Sequence, residues 1–263
     1  QAGGHVMAPR VGMHDNVWVF DFKSLYPSIM RTFNIDPLAR ARAASGHESD
    51  LIKLDDGTTF ARGDAVLPDL LANLFAERQA AKERGDSVAS QAIKILMNSF
   101  YGVLGTPACR FYDPKLANAI TGLGKLLLLW ARDWFIQRDY AVLYGDTDSL
   151  FVAAGDKDAA RAMTTGDELV GAVNIDLATF IRTRWALVSR LELEFEKLYE
   201  RLFLPSVRGG DAGAAKRYAG VVHGREGVEF VGMEVVRRDW TELAKEVQRE
   251  LYARLFDGRA VDE

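Results

Sequence analysis

The pattern of apolar and polar residues divides the chain into strands and helices. Val17-Trp18-Val19-Phe20-Asp21-Phe22 predicts a buried strand, with Val17, Val19 and Asp21 on one face and Trp18, Phe20 and Phe22 on the other. Before it, residues 5–16 read as an irregular surface arm. After it, Ser24-Leu25-Tyr26-Pro27-Ser28 opens a helix, with Ser24 as N-cap and Pro27 in the first turn. A helix N-terminus directly behind a strand offers N–H groups to an anion beside Asp21. Residues 36–63 read as a loop with a turn at Asp55-Asp56-Gly57. Residues 67–83 and 88–104 predict two helices, and the short break at Arg84-Gly85-Asp86-Ser87 makes them antiparallel. Asp113-Pro114 caps and starts a long helix to about residue 138, in which Gly122 and Gly124 allow close packing. Residues 156–184 read as mostly helical. Residues 191–196 alternate as a strand with a solvated acidic face, of which Glu194 is the member able to approach a metal. Residues 216–222 predict a strand entered by a Gly-rich loop, residues 228–233 another, and residues 240–256 a final helix with Asp239 and Glu242 as capping box.

Chemistry concentrates at one hairpin. Residues 140–143 and 150–153 read as short apolar strands, joined through Tyr144-Gly145-Asp146-Thr147-Asp148-Ser149. The Gly suits a tight turn because it accepts positive φ, and Asp tolerates turns. Carboxylates brought together repel one another unless a cation sits between them. Hard oxygen ligands suit Mg²⁺ or Mn²⁺, not zinc. The plain alternative is an acidic hairpin tip in water. The paired helices add a second charged set: Arg78 and Lys82 share one face at i, i+4, and Lys94, Asn98 and Tyr101 share another at i, i+4, i+7. Arg84 and Lys115 read as solvated. Lys94 lies among Ile93, Ile95, Leu96 and Met97, and a charge crowded by apolar neighbours needs a partner.

Composition removes several classes. The 263 residues, 48% hydrophobic and 27% charged, make an ordinary globular balance. A single cysteine, Cys109, excludes an internal disulfide and a Cys-rich zinc site, and fits a reducing compartment. His5, His14, His47 and His223 are scattered. No apolar run approaches the roughly 18–20 residues of a membrane span. The net charge of −4 argues against a generic basic nucleic-acid binder but leaves room for a local basic surface. The chain begins at Gln1 without Met and stops just past a helix, so it is expected to be a piece of something longer.

Three stretches, in order, resemble one family. Asp21-Phe22-Lys23-Ser24-Leu25-Tyr26-Pro27-Ser28-Ile29 resembles motif A of family B DNA polymerases. Lys94-Ile95-Leu96-Met97-Asn98-Ser99-Phe100-Tyr101-Gly102 resembles motif B, and Tyr144-Gly145-Asp146-Thr147-Asp148-Ser149 resembles motif C. Lys216-Arg217-Tyr218-Ala219-Gly220 is similar to the family's duplex-contacting motif. Ordered motifs are far more specific than any one alone, and the resemblance covers nearly the whole chain. It implies an α+β fold: a polymerase palm, meaning an antiparallel sheet backed by helices, with a two-helix fingers insertion. The palm would be residues 1–66 and 105–238, the fingers 67–104, and 239–263 the start of a truncated thumb. The family's exonuclease carboxylates would lie upstream, so no proofreading is expected of this chain.

The resemblance also implies roles. Asp21 and Asp148 would be catalytic and ligate two Mg²⁺ ions, replaceable by Mn²⁺, with the Phe22 carbonyl helping and Asp146 ligating or acting from behind. Ser24, Leu25, Tyr26, Arg78, Lys82, Lys94 and Asn98 would bind the deoxynucleoside triphosphate, Tyr26 acting as steric gate against a 2′-hydroxyl. Tyr101 and Gly102 would line the nascent base pair. Lys216, Arg217, Tyr218 and Gly220 would contact DNA. Expected partners are primer–template DNA, a deoxynucleoside triphosphate and, through regions outside the chain, a sliding clamp. The expected setting is DNA replication and repair in a bacterial cytoplasm, at the nucleoid. Two departures stand out: Ala215 replaces the first of two usual Lys, and Val231 precedes Gly232 where relatives often carry Lys. Both remove positive charge near the duplex, which predicts weak, salt-sensitive binding. Other two-metal enzymes, such as a reverse transcriptase or nucleotidyl cyclase, are disfavoured by the helix carrying Lys94 and Asn98. A non-catalytic nucleic-acid-binding fragment of a polymerase is the remaining alternative, and metal-dependent nucleotide binding separates it from an active core.

Overall fold

The computed structural model describes residues 3–63, 65–207 and 213–258. Most of the predicted Gly-rich loop before Lys216 (208–212) and the last residues of the expected thumb start (259–263) lie outside them, as do residues 1, 2 and 64. In chain order the elements are β1 (Gly12–Phe22), α1 (Leu25–Thr32), α2 (Pro37–Ala43), β2 (Leu51–Lys53), β3 (Thr59–Ala61), α3 (Val66–Glu83), α4 (Ser87–Leu104), α5 (Pro114–Ile136), β4 (Val142–Asp146), β5 (Ser149–Ala153), α6 (Ala159–Trp185), β6 (Leu193–Leu204), β7 (Tyr218–Val222), β8 (Val228–Val231) and α7 (Glu242–Phe256). The chain forms two compact units. One comprises Gln1–His5, Phe22–Leu127 and Asn174–Glu192, the other Val6–Asp21, Leu128–Val173 and Leu193–Glu263.

The second unit is a six-stranded sheet in the order β4-β5-β1-β6-β7-β8, with helices behind it. The pairs β1–β5, β4–β5, β6–β7 and β7–β8 are antiparallel. The predicted alternation in β1 holds. Val17 and Val19 join Leu143, Tyr144, Phe151, Tyr199 and Leu202 in one apolar layer. Trp18 and Phe20 point the other way. Phe20 stacks on Phe135 of α5 with ring centroids 4.7 Å apart, and the Trp18 indole N–H donates to the Ala162 carbonyl of α6 at 2.7 Å. With both faces covered, β1 reads as a continuous apolar run; a buried aromatic such as Phe20 is worth about 3–5 kcal/mol against Ala. The expected surface arm is partly ordered against the sheet. β1 starts at Gly12, and the N–H groups of Met7 and Arg10 donate to the carbonyls of Gly145 and Leu143 on β4. Those bonds cover what would otherwise be an open strand edge. The strand predicted at 191–196 runs on to Leu204, and Glu194 on it is exposed.

The first unit is mainly helical. Its α3–α4 pair matches the predicted helices closely, with Gly85 at φ 72° in the break and Asp86 accepting from the Ala89 N–H at 2.9 Å. The loop reading of 36–63 fails. Asp36 caps α2, and β2 pairs with β3 around the Asp55–Gly57 turn. Both elements are too short to announce themselves by periodicity. The capping box on α7 also fails. Thr241 is the N-cap, accepting from the Ala244 N–H, while Asp239 pairs with Arg237 at 2.7 Å.

Candidate active site

In the sheet unit, strand register brings the predicted carboxylates to one end of one face. Asp21 on β1 lies directly opposite Ser149 on β5, and Ser149 opposite Asp146 on β4. Opposed residues point to the same side, and strands lie about 4.8 Å apart, so Asp21 and Asp146 flank Ser149 on the face of Val19 and Tyr144. Asp148 sits in the connecting turn. Gly145 is not the residue that makes this turn possible, contrary to the sequence reading. The positive φ, 56°, belongs to Thr147. The Asp148 N–H donates back to the Asp146 carbonyl at 2.6 Å, closing a tight three-residue turn. A β-branched residue at positive φ in such a turn is strained, by about 1–3 kcal/mol. The Thr147 hydroxyl, donating to Asp146 Oδ1 at 3.0 Å, helps to hold it.

Asp146 has its own cation. Lys216 Nζ reaches both of its oxygens, at 2.6 and 2.7 Å. Lys216 is itself at φ 57°, and its N–H donates to the Tyr144 hydroxyl at 2.8 Å. Burial, with the Asp146 charge adding to it, raises the Tyr144 phenol above its ordinary range. Arg217 is also committed: its guanidinium donates at 2.6 Å to Glu234, which Gln248 of α7 holds from the other oxygen at 2.8 Å. Burial alone would raise the Glu234 carboxyl. The bonds from Gln248 and Arg217, together with the Arg217 charge, outweigh that and hold it at about 2. Tyr218 packs edge-on to Phe151, centroids 5.1 Å apart. At Gly220, an added Cβ would fall 2.5 Å from the Tyr199 ring. That ring crosses β7 so that its hydroxyl can donate to Glu229 at 2.5 Å, where Lys197 also arrives at 2.8 Å. Burial would raise Glu229, but these two bonds outweigh it and hold it below its usual range. Of the residues expected to contact DNA, Lys216 therefore pairs with Asp146, Arg217 with Glu234, and Tyr218 and Gly220 serve the packing of the sheet.

In the helical unit, Ser24 is in the left-handed region at φ 46° and its side chain does not cap α1. Its hydroxyl instead accepts from Arg78 Nη1 at 3.3 Å. Arg78 Nε is buried and has no acceptor among the described residues. Lys23 pairs with Glu192 at 3.2 Å. Leu25 is buried in α1, the Tyr26 and Tyr101 rings lie 4.7 Å apart, and Gly124 of α5 lets Tyr26 approach: a Cβ there would be 3.2 Å from Tyr26 Cε1, whereas one at Gly122 would meet nothing within 4 Å among the described residues, so the close packing expected there is not found. Lys82, Lys94, Asn98 and Gly102 are exposed. The crowding argument for Lys94 fails, because Ile95 and Leu96 beside it are 61% and 48% exposed.

The site and the whole chain point to one family. The model for DNA polymerase family B matches residues 1–263. The chain belongs to DNA polymerase family B. Among its family B relatives, DNA polymerase II of Escherichia coli (strain K12) is 43% identical over 266 residues, which cover 99% of this chain and 34% of that protein. The DNA polymerase of Thermococcus gorgonarius is 31% identical over 275 residues, 100% of this chain and 33% of that protein. The DNA polymerase alpha catalytic subunit of Oryza sativa subsp. japonica is 31% identical over 280 residues, 16% of that protein. The chain thus spans about a third of the length of the first two.

Among the described residues of this family B chain, no three His, Cys, Asp or Glu side chains gather closely enough to hold a metal together. The donor chemistry of Asp21 and Asp148 still suits a hard divalent cation, which fills its remaining positions with carbonyl, phosphate and water oxygens. No helix among them is long and apolar enough to cross a membrane. Sequence reasoning missed Asp36, Tyr144 and Glu234. Asp36-Pro37 carried a signal, an Asp before a helix-opening Pro. Glu234 carried none, since its partners Arg217 and Gln248 lie 17 and 14 residues away.

Proposed function

We propose that this family B chain is the palm and fingers part of a DNA-directed DNA polymerase, in which a primer 3′-oxygen bonds to the α-phosphorus of a deoxynucleoside triphosphate as the α–β phosphoanhydride bond breaks and pyrophosphate leaves. The observation that carries this reading is the register that lines up Asp21, Ser149 and Asp146 beside Asp148. In this reading residues 1–66 and 105–238 are palm, 67–104 fingers and 239–263 the beginning of the thumb, and no proofreading hydrolysis is assigned to these residues. Asp21 and Asp148 would hold two Mg²⁺ or Mn²⁺ ions, with the Phe22 carbonyl, and Asp146 would tune them from behind while Lys216 balances its charge. Bound there, such ions stabilise the attacking and leaving oxygens of an in-line displacement.

The remaining work falls to the chain's own groups. The backbone of Ser24, Leu25 and Tyr26, at the start of α1, presents N–H dipoles to phosphate oxygens. Arg78, Lys82 and Lys94 neutralise the triphosphate, and the buried Arg78 Nε is the donor most in need of an oxygen. Asn98, Tyr101 and Gly102 line the base pair being formed. Tyr26, wedged against Tyr101, excludes a 2′-hydroxyl by bulk. Lys216 would exchange Asp146 for a DNA phosphate, whereas Arg217, Tyr218 and Gly220 act on DNA by fixing β7. Primer–template contacts read shape and backbone, so the template strand supplies sequence.

The test is primer extension at low salt with Mg²⁺ and then Mn²⁺, beside Asp148→Asn. Extension that disappears in the variant supports the reading. Extension that survives Asp148→Asn, or a chain that neither extends primers nor binds nucleotide, contradicts it.

A further inference from the structure

Helix α3, which carries Arg78 and Lys82, is held at its start by a carboxylate outside it. Asp36 is 1% exposed. Its Oδ1 accepts from the N–H groups of Leu38 and Ala39, at 2.7 and 3.0 Å, at the start of α2. Its Oδ2 accepts from Val66 and Leu67, at 3.2 and 2.8 Å, at the start of α3. One side chain thus caps two helices and completes its own desolvated hydrogen-bonding capacity with backbone donors.

Pro68 and Leu71 bury one side of the first turns of α3, but the side towards Leu38 is open. A cavity of about 320 Å³ lies there, walled by Leu38, Val66, Phe100, Val103 and Phe111. Side-chain packing across a cavity is forfeited, so on that side the bonds to the carboxylate are what set the direction of the helix. Arg78 is about 18 Å further along the helix, at about 1.5 Å per residue. A swing of about 5° at Val66 would move the Arg78 guanidinium by about 1.5 Å, enough to break a hydrogen bond such as that to Ser24.

We infer that Asp36 is a positioning residue for the nucleotide: by tying the start of α3 to the start of α2, it sets where Arg78 and Lys82 meet the triphosphate. This rests on the triphosphate role proposed above for those two residues. Asp36→Ser is the informative change. Serine still caps α2, but its shorter side chain leaves Val66 and Leu67 without their acceptor.

The experiment is equilibrium binding of a fluorescent deoxynucleoside triphosphate, with Mg²⁺, to the whole chain. Asp36→Ser is expected to raise Kd about tenfold in the wild-type background, as displaced binding groups do. In an Arg78→Ala background it is expected to change Kd by less than about twofold, since the group being positioned is gone. An unchanged Kd in the first case, or the same factor in both, overturns the inference while leaving the functional reading intact. A wild-type chain that binds no nucleotide overturns both. Should Asp36→Ser fail to fold, Val66→Pro removes one of the two α3 donors at a helix-opening position where proline is accepted. Its Kd is expected to rise about twofold to threefold, and an unchanged Kd overturns the inference.

Discussion

In the sheet unit nearly every charged residue of interest comes with a partner: Asp146 with Lys216, Arg217 with Glu234, Glu229 with Lys197 and Tyr199. In the helical unit, among the described residues, Arg78 donates to Ser24, and Lys82 and Lys94 are exposed and form no ion pair. The difference follows from the elements. In the sheet unit these charges lie at strand ends or on half-buried neighbouring strands, close enough to match one another. A helix pair with one apolar seam, here Leu71, Leu74, Met97 and Leu104, leaves its other faces to solvent. Arg217, Glu234, Glu229 and Lys197 of the sheet unit are therefore bound up with stability, while the helices' charges are available to a ligand.

The sharpest division is expected at Asp148. Asp148→Asn should lower primer extension by on the order of 10³-fold or more, because a lost metal ligand removes charge stabilisation at the reacting centre. Its thermal unfolding should stay close to wild type, since Asp148 lies in the turn. A coincident collapse of Tm would break the comparison. Next in size is Tyr26→Ala. It should raise ribonucleotide incorporation relative to deoxynucleotide by on the order of 10²-fold, the worth of a small steric exclusion in a pocket. Single-nucleotide incorporation with both sugars measures the ratio, and an unchanged ratio removes the gate role.

The paired charges should show in pH dependence. Glu234 sits at about 2 in the folded chain against 4.5 unperturbed. Its folded value is depressed, so its contribution is complete above about pH 4.5 and is lost as pH falls towards 2. The amount is roughly 3 kcal/mol. Denaturant unfolding of Glu234→Gln should lack that part of the acid dependence; a wild-type slope between pH 5 and 2.5 in the variant contradicts the assignment. The smallest effect belongs to the helices. Lys82→Ala should change unfolding free energy by less than about 0.5 kcal/mol, yet weaken nucleotide binding severalfold. A large stability loss there would show that Lys82 is partnered as the sheet's charges are.

Much of this organisation was legible beforehand. β1, the hairpin and α3–α4 follow from period-2 and period-3.6 apolar patterns, because each buries a continuous face. Asp21, Asp146 and Asp148 were visible because carboxylates ending buried strands have no packing reason to be there. What stayed hidden depends on groups distant in sequence. Nothing local tells that Arg217 faces Glu234, that Gly220 makes room for Tyr199, or that Thr147 rather than Gly145 takes the positive φ. Lys94 has apolar neighbours in sequence, but Ile95 and Leu96 face solvent, so they do not crowd it. Short elements such as α2 and β2–β3 lack enough residues for periodicity to register, and although Asp36-Pro37 signals the start of α2, the second helix that Asp36 caps, α3, begins 30 residues further on.

The central claim is that Asp21 and Asp148 together form the cation site of this sheet. Titration of Mn²⁺ followed by electron paramagnetic resonance, with a deoxynucleoside triphosphate present, measures it directly. The account predicts that Asp21→Asn and Asp148→Asn each abolish protein-dependent Mn²⁺ binding, while Lys216→Ala leaves it in place. Binding that survives both aspartate substitutions would contradict it.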